Sequence, residues 1–370
     1  MSLVQTVKGG LFRGVAAVER SLASTKSSSP LHEISNFLLL QHPSALGTAI
    51  HATPLIPALR HAVPGCRIAV AASGFALDVF RNNPGVDSLI ETPNPFEDLK
   101  GAAQSLRAQN PFRERQYVVL TSTGNERTKI AAQAMLTGAA PRIGFTVAPQ
   151  LYRIPLTFDP ALSQIANNLR ILEALGHPPQ HFEPQIFFTE ADRVAAQEVL
   201  AASGVRPDQP VAIFITQTSV TQRKSWRSER FQAATRFLAD RYDAHIVFVG
   251  TAAESPAIDQ LREGLSFPTT NVAGRTKLPM LAALMSLATV ALTLDTGPMH
   301  IGRAAGLPMV IIAPAWSPAV EWLPVGDRRF RILKNADMPA ATPEYVIDEV
   351  SVEDVTDALE DLLTCYPPSS

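Results

Sequence analysis

The sequence predicts an α/β protein with two doubly wound domains, each built on a parallel sheet. Short continuous apolar runs alternate with helical stretches along most of the chain, and the first run is NFLLLQ at residues 36–41. Such runs are typical of strands buried on both faces, and the short connections between them favour parallel strands joined by crossover helices. A length of 370 residues also favours two domains over one.

Changes in composition divide the chain into four segments. Residues 1–30 form an amphipathic or flexible N-terminal extension, residues 31–180 and 181–350 form the two α/β domains, and residues 351–370 form a C-terminal helix and tail. The two domains are separated at the run Gly176-His177-Pro178-Pro179, because consecutive prolines cannot continue a helix. We expect the two sheets to face a central cleft, which is the default position for an active site.

The first domain is predicted to alternate strand and helix in strict order. Its strands are apolar runs with Gly, Pro or Asn near their ends, and its helices are longer stretches with apolar residues three and four positions apart. The predicted strands are 36–41, 67–71, 86–91, 117–121 and 142–145, and the predicted helices are 48–61, 74–81, 126–136 and 160–175.

The second domain repeats this alternation after a helix at 191–203. The predicted strands are 211–216, 245–250, 290–295 and 309–313, and the further predicted helices are 229–242, 256–264, 278–287 and 351–363. Ser351 begins the last helix, and Asp354 three residues later completes a capping box.

Charge and cysteine content exclude several classes of protein. Lys and Arg number 32 against 34 Asp and Glu, so there is no global basic field of the kind that binds nucleic acid. Cys66 and Cys365 alone provide neither a disulfide framework nor a four-cysteine zinc site, and they favour a reducing cytosol. No apolar run reaches the roughly 20 residues that a membrane span needs.

The N-terminal extension has two interpretations. Its apolar residues approximate one helical stripe, and Lys8, Arg13, Arg20 and Lys26 outnumber its single acidic residue, so it has the pattern of a helix that lies on an anionic membrane surface. The pair at residues 9–10 is Gly-Gly, which weakens a helix, and a poorly ordered extension or a helix packed on the body is the alternative.

The most informative stretch is ALTLDTGPMHIGRAAGLPMVIIAP at residues 291–314, which predicts strand, loop, helix and strand. Asp295, Thr296 and Gly297 fall at the carboxyl end of its first strand, where open α/β sheets bind ligands. Pro298 is expected as the first helical residue, which leaves the amides of Thr296, Gly297 and Met299 pointing outward toward an anion such as phosphate. The alternative is that Asp295 or Thr296 only caps the helix.

Other polar residues follow the strands on either side. Thr218 and Ser219 follow the 211–216 strand with Lys224 close behind, and Gly250 and Glu254 follow the 245–250 strand. A lysine and hydroxyls suit a diphosphate, and a carboxylate after a strand often binds ribose hydroxyls. Each signal has a simpler alternative: Lys224 as a solvated lysine, and Glu254 as a carboxylate placed at a helix start by the helix dipole.

Together these segments resemble the ADP-heptose lipopolysaccharide heptosyltransferases, glycosyltransferase family nine, over about residues 35 to 365. The resemblance rests on the following runs: Ala45-Leu46-Gly47, Ala52-Thr53-Pro54, Ala58-Leu59-Arg60, Asn83-Pro84-Gly85-Val86-Asp87, Lys224-Ser225-Trp226 with Phe231, Val247 to Gly250, Val272-Ala273-Gly274-Arg275-Thr276 and Asp295-Thr296-Gly297-Pro298-Met299-His300.

The resemblance implies a GT-B architecture, two Rossmann-like domains of which the second holds the nucleotide sugar. It places Lys224 against the donor diphosphate with Thr218 and Ser219 as neighbours. It also places Asp295, Thr296 and Gly297 against the diphosphate and sugar, with His300 facing the same cleft. No cofactor is expected, only a donor substrate such as ADP-heptose. The chain has no Asp-x-Asp pair to hold a metal, so inverting, metal-independent transfer is the simpler mechanism.

One departure from the family concerns the catalytic base. The family's opening loop normally reads Leu-Gly-Asp, and that Asp is the expected base, but this chain has Thr48 there. A threonine hydroxyl has no pKa in the neutral range. His51, on the same helix face, is the nearest substitute, and His42 in the preceding loop is a second candidate.

The sequence therefore predicts a heptosyltransferase-type glycosyltransferase that acts on a lipopolysaccharide-type or other lipid-linked envelope saccharide. We expect it in the cytoplasm, either free or peripheral at the inner face of the inner membrane with contact through residues 1–29. The alternatives are a GT-B enzyme with another nucleotide sugar and a nucleotide-sugar-binding protein whose catalysis is lost because of Thr48. Trp316 has the character of a stacking platform or a packing residue. Arg113, Arg115, Arg127 and Arg142 offer positive charge to an anionic acceptor.

Overall fold

The computed structural model describes residues 14, 30–138, 141–217, 224–338, 341–342 and 345–367. Apart from residue 14, the predicted N-terminal extension at 1–29 lies outside this set, as do Thr218 and Ser219. The chain divides into two compact units, Met1–Gln185 and Ile186–Ser370. No helix in the described part of the chain is long and apolar enough to cross a membrane.

The first unit is one six-stranded sheet with helices. Its strands are β1 (Asn36–Gln41), β2 (Arg67–Ala72), β3 (Ser88–Glu91), β4 (Val118–Thr121), β5 (Arg142–Phe145) and β6 (Ile154–Leu156), in the order β3-β2-β1-β4-β5-β6, all parallel. Its α-helices are α1 (Leu46–Ala52), α2 (Leu55–Ala62), α3 (Phe75–Phe80), α4 (Leu99–Gln109), α5 (Thr128–Leu136) and α6 (Gln164–Leu175), with short 3₁₀ turns at Leu31–Glu33 and Pro149–Leu151.

The second unit has the same plan. Its strands are β7 (Val211–Ile215), β8 (His245–Phe248), β9 (Thr269–Asn271), β10 (Val290–Leu294), β11 (Met309–Ile312) and β12 (Phe330–Leu333), in the order β12-β11-β10-β7-β8-β9, all parallel. Its helices are α7 (Glu190–Ala202), α8 (Ser228–Tyr242), α9 (Ser255–Glu263), α10 (Leu278–Ser286), α11 (Gly297–Ala304), α12 (Ala319–Trp322) and α13 (Val352–Cys365).

The central strands are the ones that the sequence predicts most closely. β1 has the predicted bounds, and residues 37–40 in it are at most 1% exposed, as are residues 212–214 in β7. Because both faces of these strands are covered, their central side chains are apolar, and the apolar run marks the strand. The capping box at Ser351 and Asp354 is also present, and α13 packs against α8 and the strands β10 to β12.

The single helix predicted at 48–61 is wrong: the chain forms α1 and α2 with a break at Thr53 and Pro54. Proline has no amide hydrogen, so Pro54 cannot donate to the carbonyl of Ile50 four residues earlier. The Thr53 hydroxyl donates to the Ile50 carbonyl instead, at 2.7 Å.

Several elements were not predicted, and most lie at sheet edges. β6, β9 and β12 are three or four residues long and only partly buried, so they carry no continuous apolar run. Helix α4 was missed as well, although Asp98 caps it by accepting from the Gly101 amide at 2.7 Å.

The order of strands creates one switch point in each sheet. In the first sheet β1 lies between β2 and β4, so the chain runs outward in opposite directions from the β1–β4 pair. In the second sheet β7 and β10 form the equivalent pair. Loops that follow the two strands of such a pair are the usual ligand-binding position in open α/β sheets.

We predict that the first sheet tolerates no side chain at Gly144. This residue has φ +127°, and a Cβ there would lie 2.1 Å from the Thr121 carbonyl oxygen of the neighbouring strand. Gly144→Ala should therefore lower the free energy of unfolding by about 1–3 kcal/mol beyond the backbone strain alone.

Gly138→Ala is the matched control, because Gly138 has φ +134° but its Cβ would meet only the Tyr117 hydroxyl at 3.5 Å. Urea unfolding followed by circular dichroism compares the two variants. Equal stability of the two would contradict the predicted backbone clash.

Candidate functional site

The predicted polar segments of the second unit meet at its switch point. Thr216 follows β7 and Asp295 follows β10, and these two strands are hydrogen-bonded neighbours. Both residues are buried, at 5% and 2% exposure. The Asp295 amide donates to the Ile312 carbonyl of β11 at 3.2 Å. Asp295 therefore lies directly at the carboxyl end of β10.

Lys224 and Asp295 form a buried ion pair at this edge. The Lys224 ammonium donates to the Asp295 carboxylate at 2.7 Å and to the Asp295 carbonyl at 3.1 Å. The lysine side chain is 13% exposed and the aspartate side chain 3%. Buried charges are costly unless they are paired, so this geometry holds the ammonium at one place.

The two residues that follow Lys224 anchor it to the body of the unit. The Ser225 carbonyl accepts from the Ile347 amide at 2.9 Å. The Trp226 indole donates to the Val350 carbonyl at 2.9 Å, and its ring packs edge-on against Phe231 with centroids 4.8 Å apart. These contacts fix the backbone next to Lys224 to the segment that leads into α13.

Helix α11 begins at the ion pair with an unusual start. Thr296 is its N-cap residue, yet no side chain caps it. The interpretation in which Asp295 or Thr296 only caps the helix is therefore not what the structure shows, because the Asp295 carboxylate binds Lys224.

Two details of the predicted helix start need correction. Gly297 is the first helical residue and Pro298 the second, so the proline stands one position later than predicted. The Met299 amide donates to the Thr296 carbonyl at 3.1 Å and does not point outward. The amides of Thr296 and Gly297 have no hydrogen-bond acceptor within the described residues. These two amides and the positive end of the helix dipole suit an anion.

His300 lies one turn into α11 and is 4% exposed. Burial lowers its pKa to about 4, helped by the charges of Arg303 and Lys224 and opposed by Asp295. The imidazole is therefore neutral at neutral pH. Its ring packs against Trp322, with centroids 5.7 Å apart.

Trp316 contributes a second aromatic face. The Lys224 ammonium lies over its ring, 5.5 Å from the centroid. The sequence marked Trp316 only as a platform or packing residue. Its contact with the ion pair depends on the loop after β11, which sequence spacing does not reveal.

Gly250 and Glu254 lie one strand further along the edge, after β8. The Glu254 carboxylate accepts from the Thr251 amide at 2.6 Å and approaches Gly250, where a Cβ would lie 2.9 Å from its oxygen. Glu254 is the N-cap residue of α9. The structure thus shows the local role at the helix start, and a ribose contact for Glu254 stays a prediction.

Thr48 and His51 lie in the first unit, both on α1 and both buried, at 6% and 1% exposure. The His51 carbonyl accepts from the Asn168 side chain at 3.0 Å. His42, the second candidate, is 3% exposed and binds the Ser73 hydroxyl through Nδ1 at 2.8 Å. Burial lowers the pKa of His42 to about 4, an effect that Gln133 partly offsets. Both imidazoles are packed in the interior, and a role as base stays a prediction for each.

The arginines proposed for the acceptor side differ in their surroundings. Arg142 is 6% exposed and donates to the Leu151 carbonyl, so it is part of the interior. Arg127 is exposed, donates to the Ser44 hydroxyl at 2.7 Å and stacks on Phe96. Arg113 and Arg115 are exposed.

The arrangement in the second unit favours binding of a polyanion and stabilisation of negative charge. An ammonium, two backbone amides and a helix N-terminus converge there, with an aromatic face beside them. Within the described residues no group of three or more His, Cys, Asp or Glu side chains forms a metal-binding cluster. Thr218 and Ser219, predicted neighbours of the anion, lie outside the described residues.

Comparisons with known proteins agree with this architecture. Residues 106–340 match the model of glycosyltransferase family 9 (heptosyltransferase). The chain is 24% identical to lipopolysaccharide heptosyltransferase 3 of Escherichia coli K12 over 345 residues, which cover 88% of this chain and 97% of that protein.

Solved structures show the same fold. A glycosyl transferase family 9 structure from Veillonella parvula aligns with a TM-score of 0.80 at 20% identity, covering 91% of this chain and 99% of that one. ADP-heptose lps heptosyltransferase II of E. coli aligns with a TM-score of 0.71 at 20% identity, covering 89% and 99%. The predicted fold class, GT-B with two Rossmann-like doubly wound domains, is confirmed, and the chain belongs to glycosyltransferase family 9, the heptosyltransferases.

Proposed function

We propose that this glycosyltransferase moves a heptose from ADP-heptose to a lipopolysaccharide-type saccharide, with inversion at the anomeric carbon and without a metal ion. The relatives support the substrate classes: one is named a lipopolysaccharide heptosyltransferase, one an ADP-heptose lps heptosyltransferase, and a further E. coli heptosyltransferase was solved with ADP.

The observation that carries the donor side is the Lys224–Asp295 ion pair beside the uncapped start of α11. A nucleoside diphosphate that leaves the sugar gains negative charge in the transition state. Lys224 would share its ammonium between Asp295 and the diphosphate, and the amides of Thr296 and Gly297 would bind phosphate oxygens. Preorganised donors of this kind stabilise developing charge without reorganisation.

The charge that Lys224 and these amides supply is the reason to propose transfer without a metal. A metal cation can neutralise a leaving diphosphate in such a reaction, and in this proposal an ammonium and a helix N-terminus would supply that charge instead. Inversion follows from a single displacement, in which the acceptor oxygen attacks the anomeric carbon opposite the leaving group.

The remaining parts of the donor have candidate partners at the same edge. Neutral His300 offers a hydrogen-bonding group near the sugar without adding charge. Trp316 offers a face for the nucleobase or the sugar. Glu254, after the neighbouring strand, would meet a ribose hydroxyl with the carboxylate oxygen that does not bind Thr251.

The acceptor belongs to the first unit in this proposal, as the second unit is assigned to the donor. A lipid-linked envelope saccharide would bring the enzyme to the inner face of the inner membrane, with residues 1–29 as its contact. The basic amphipathic pattern of that segment is the support for this placement.

We predict that donor binding selects the adenine nucleotide and depends on the ion pair. Calorimetric titration should show binding of ADP and ADP-heptose but not of UDP or GDP. Lys224→Met should weaken ADP binding about 10- to 100-fold, as expected for loss of a charge-assisted hydrogen bond of about 1.5–3 kcal/mol. Lys277→Met is the control, since Lys277 is exposed at the start of α10 and should leave affinity unchanged.

Asp295→Asn separates binding from stability. Lys224→Met alone leaves a buried carboxylate unpaired and should destabilise the protein by about 3–5 kcal/mol. The double variant with Asp295→Asn should recover much of that stability but none of the ADP affinity. If no adenine nucleotide binds, or if binding survives in the double variant, the donor site is assigned wrongly.

We also predict that transfer does not need a metal. Enzyme treated with EDTA and assayed in metal-free buffer should retain its full rate with ADP-heptose. The anomeric configuration of the product, read by NMR, should be opposite to that of the donor. A rate restored only by added Mg²⁺ or Mn²⁺, or retention of configuration, would contradict the proposed mechanism.

A further inference from the structure

The loops that follow β1 and β4 are bound to each other at the switch point of the first sheet. The His42 amide donates to the Asn125 side-chain oxygen at 2.8 Å, and the Arg127 guanidinium donates to the Ser44 hydroxyl at 2.7 Å. Glu126 lies between the two residues that make these contacts. Its backbone is therefore held against the loop that leads to Thr48.

A third contact joins the same loops. Gly124 has φ +77°, and a Cβ there would lie 2.2 Å from the Thr48 methyl group, so its backbone packs directly on Thr48. The backbone amides of Gly124 and of Glu126 itself both lower the pKa of the Glu126 carboxyl, so the carboxylate lies near them. The carboxylate is thus near Gly124, the residue whose backbone packs on Thr48.

Glu126 is the only acidic residue in these two loops. Residues 42–48 and 122–127 contain no other Asp or Glu. The side chain is half-buried, which leaves a face open to a ligand, whereas His42 and His51 are at most 3% exposed.

Its surroundings raise the pKa of the carboxyl. Burial is the main cause, and the amides of Glu126 and Gly124 and the charge of Arg127 act in the opposite direction. Burial is also the main cause that raises the pKa of the Tyr152 phenol, and the charge of Glu126 adds a smaller effect in the same direction. A carboxylate with a raised pKa is a better proton acceptor near neutral pH than an ordinary surface glutamate.

We propose that Glu126 is the general base of the transfer reaction and serves where Thr48 cannot. This assignment rests on the proposed function. The Glu126 carboxylate takes the proton of the acceptor hydroxyl as that oxygen bonds to the anomeric carbon. The bond from that carbon to the diphosphate breaks, and the nucleoside diphosphate leaves with the electron pair. The proton on Glu126 then passes to solvent.

Glu126→Gln is the first test, because it keeps the size of the side chain and removes the base. The turnover number should fall about 100-fold or more, while calorimetric affinity for ADP and the melting temperature stay those of the wild type. Glu91→Gln is the matched control: Glu91 ends β3 at the same edge of the sheet, is exposed and should show full activity.

Thr48→Asp in the Glu126→Gln background is the second test. A carboxylate at position 48 would lie against the loop that contains position 126, so the turnover number should recover at least tenfold over Glu126→Gln. A merely structural role of Glu126 would not be rescued by an acid at a different position. If Glu126→Gln does not fold, Glu126→Asp keeps the charge on a shorter side chain and should lower the turnover number with ADP affinity intact.

The outcomes separate this inference from the proposed function. Suppose that the wild type transfers heptose and that Glu126→Gln, or a folded Glu126→Asp, has the same turnover number as the wild type. That result overturns the base assignment alone. Absence of transfer by the wild type to a lipopolysaccharide-core acceptor overturns the proposed function and the base assignment with it. Binding of ADP by the wild type, measured in the same experiment, shows whether the donor site survives that outcome.

Discussion

Parallel pairing of β1 with β4 and of β7 with β10 is the constraint on which the rest of the structure depends. Parallel strands end at the same edge of a sheet, and the crossovers on the two sides of each pair leave in opposite directions. Loops that lie more than 70 residues apart in the chain therefore meet. Asn125 reaches the backbone of His42 in this way, and Lys224 reaches Asp295.

The Lys224–Asp295 ion pair converts this geometry into a charged site. A buried ion pair adds little net free energy of folding, so its main effect here is to fix the position of the Lys224 ammonium. The carboxylate would hold the ammonium beside the start of α11 whether or not an anion is present. The anchor at Trp226 and Val350 connects the pair to the segment before α13, so the C-terminal helix takes part in fixing the lysine.

Each of the two units carries charged or polar groups of its own at its switch point. The second unit presents an ammonium and helix amides, which suit the charge that develops on a leaving diphosphate. The first unit presents Glu126, a carboxylate whose pKa is raised by burial. Chains about 20% identical to this one share its fold. The fold is therefore retained through extensive substitution.

The amino-acid sequence by itself determined the α/β class, the central strands and the polar segments after β7, β8 and β10, because buried parallel strands require apolar runs and ligand sites follow their ends. It did not determine the edge strands, because their half-exposed positions leave no periodic signal. It also did not determine the break between α1 and α2, because the apolar stripe continues past Pro54 although this residue has no amide hydrogen to donate. Tertiary structure alone decided that Lys224 pairs with Asp295 and lies over Trp316. It also placed the loop that contains Glu126 against Thr48, since strand order is a property of the whole sheet and cannot be read from spacing along the chain.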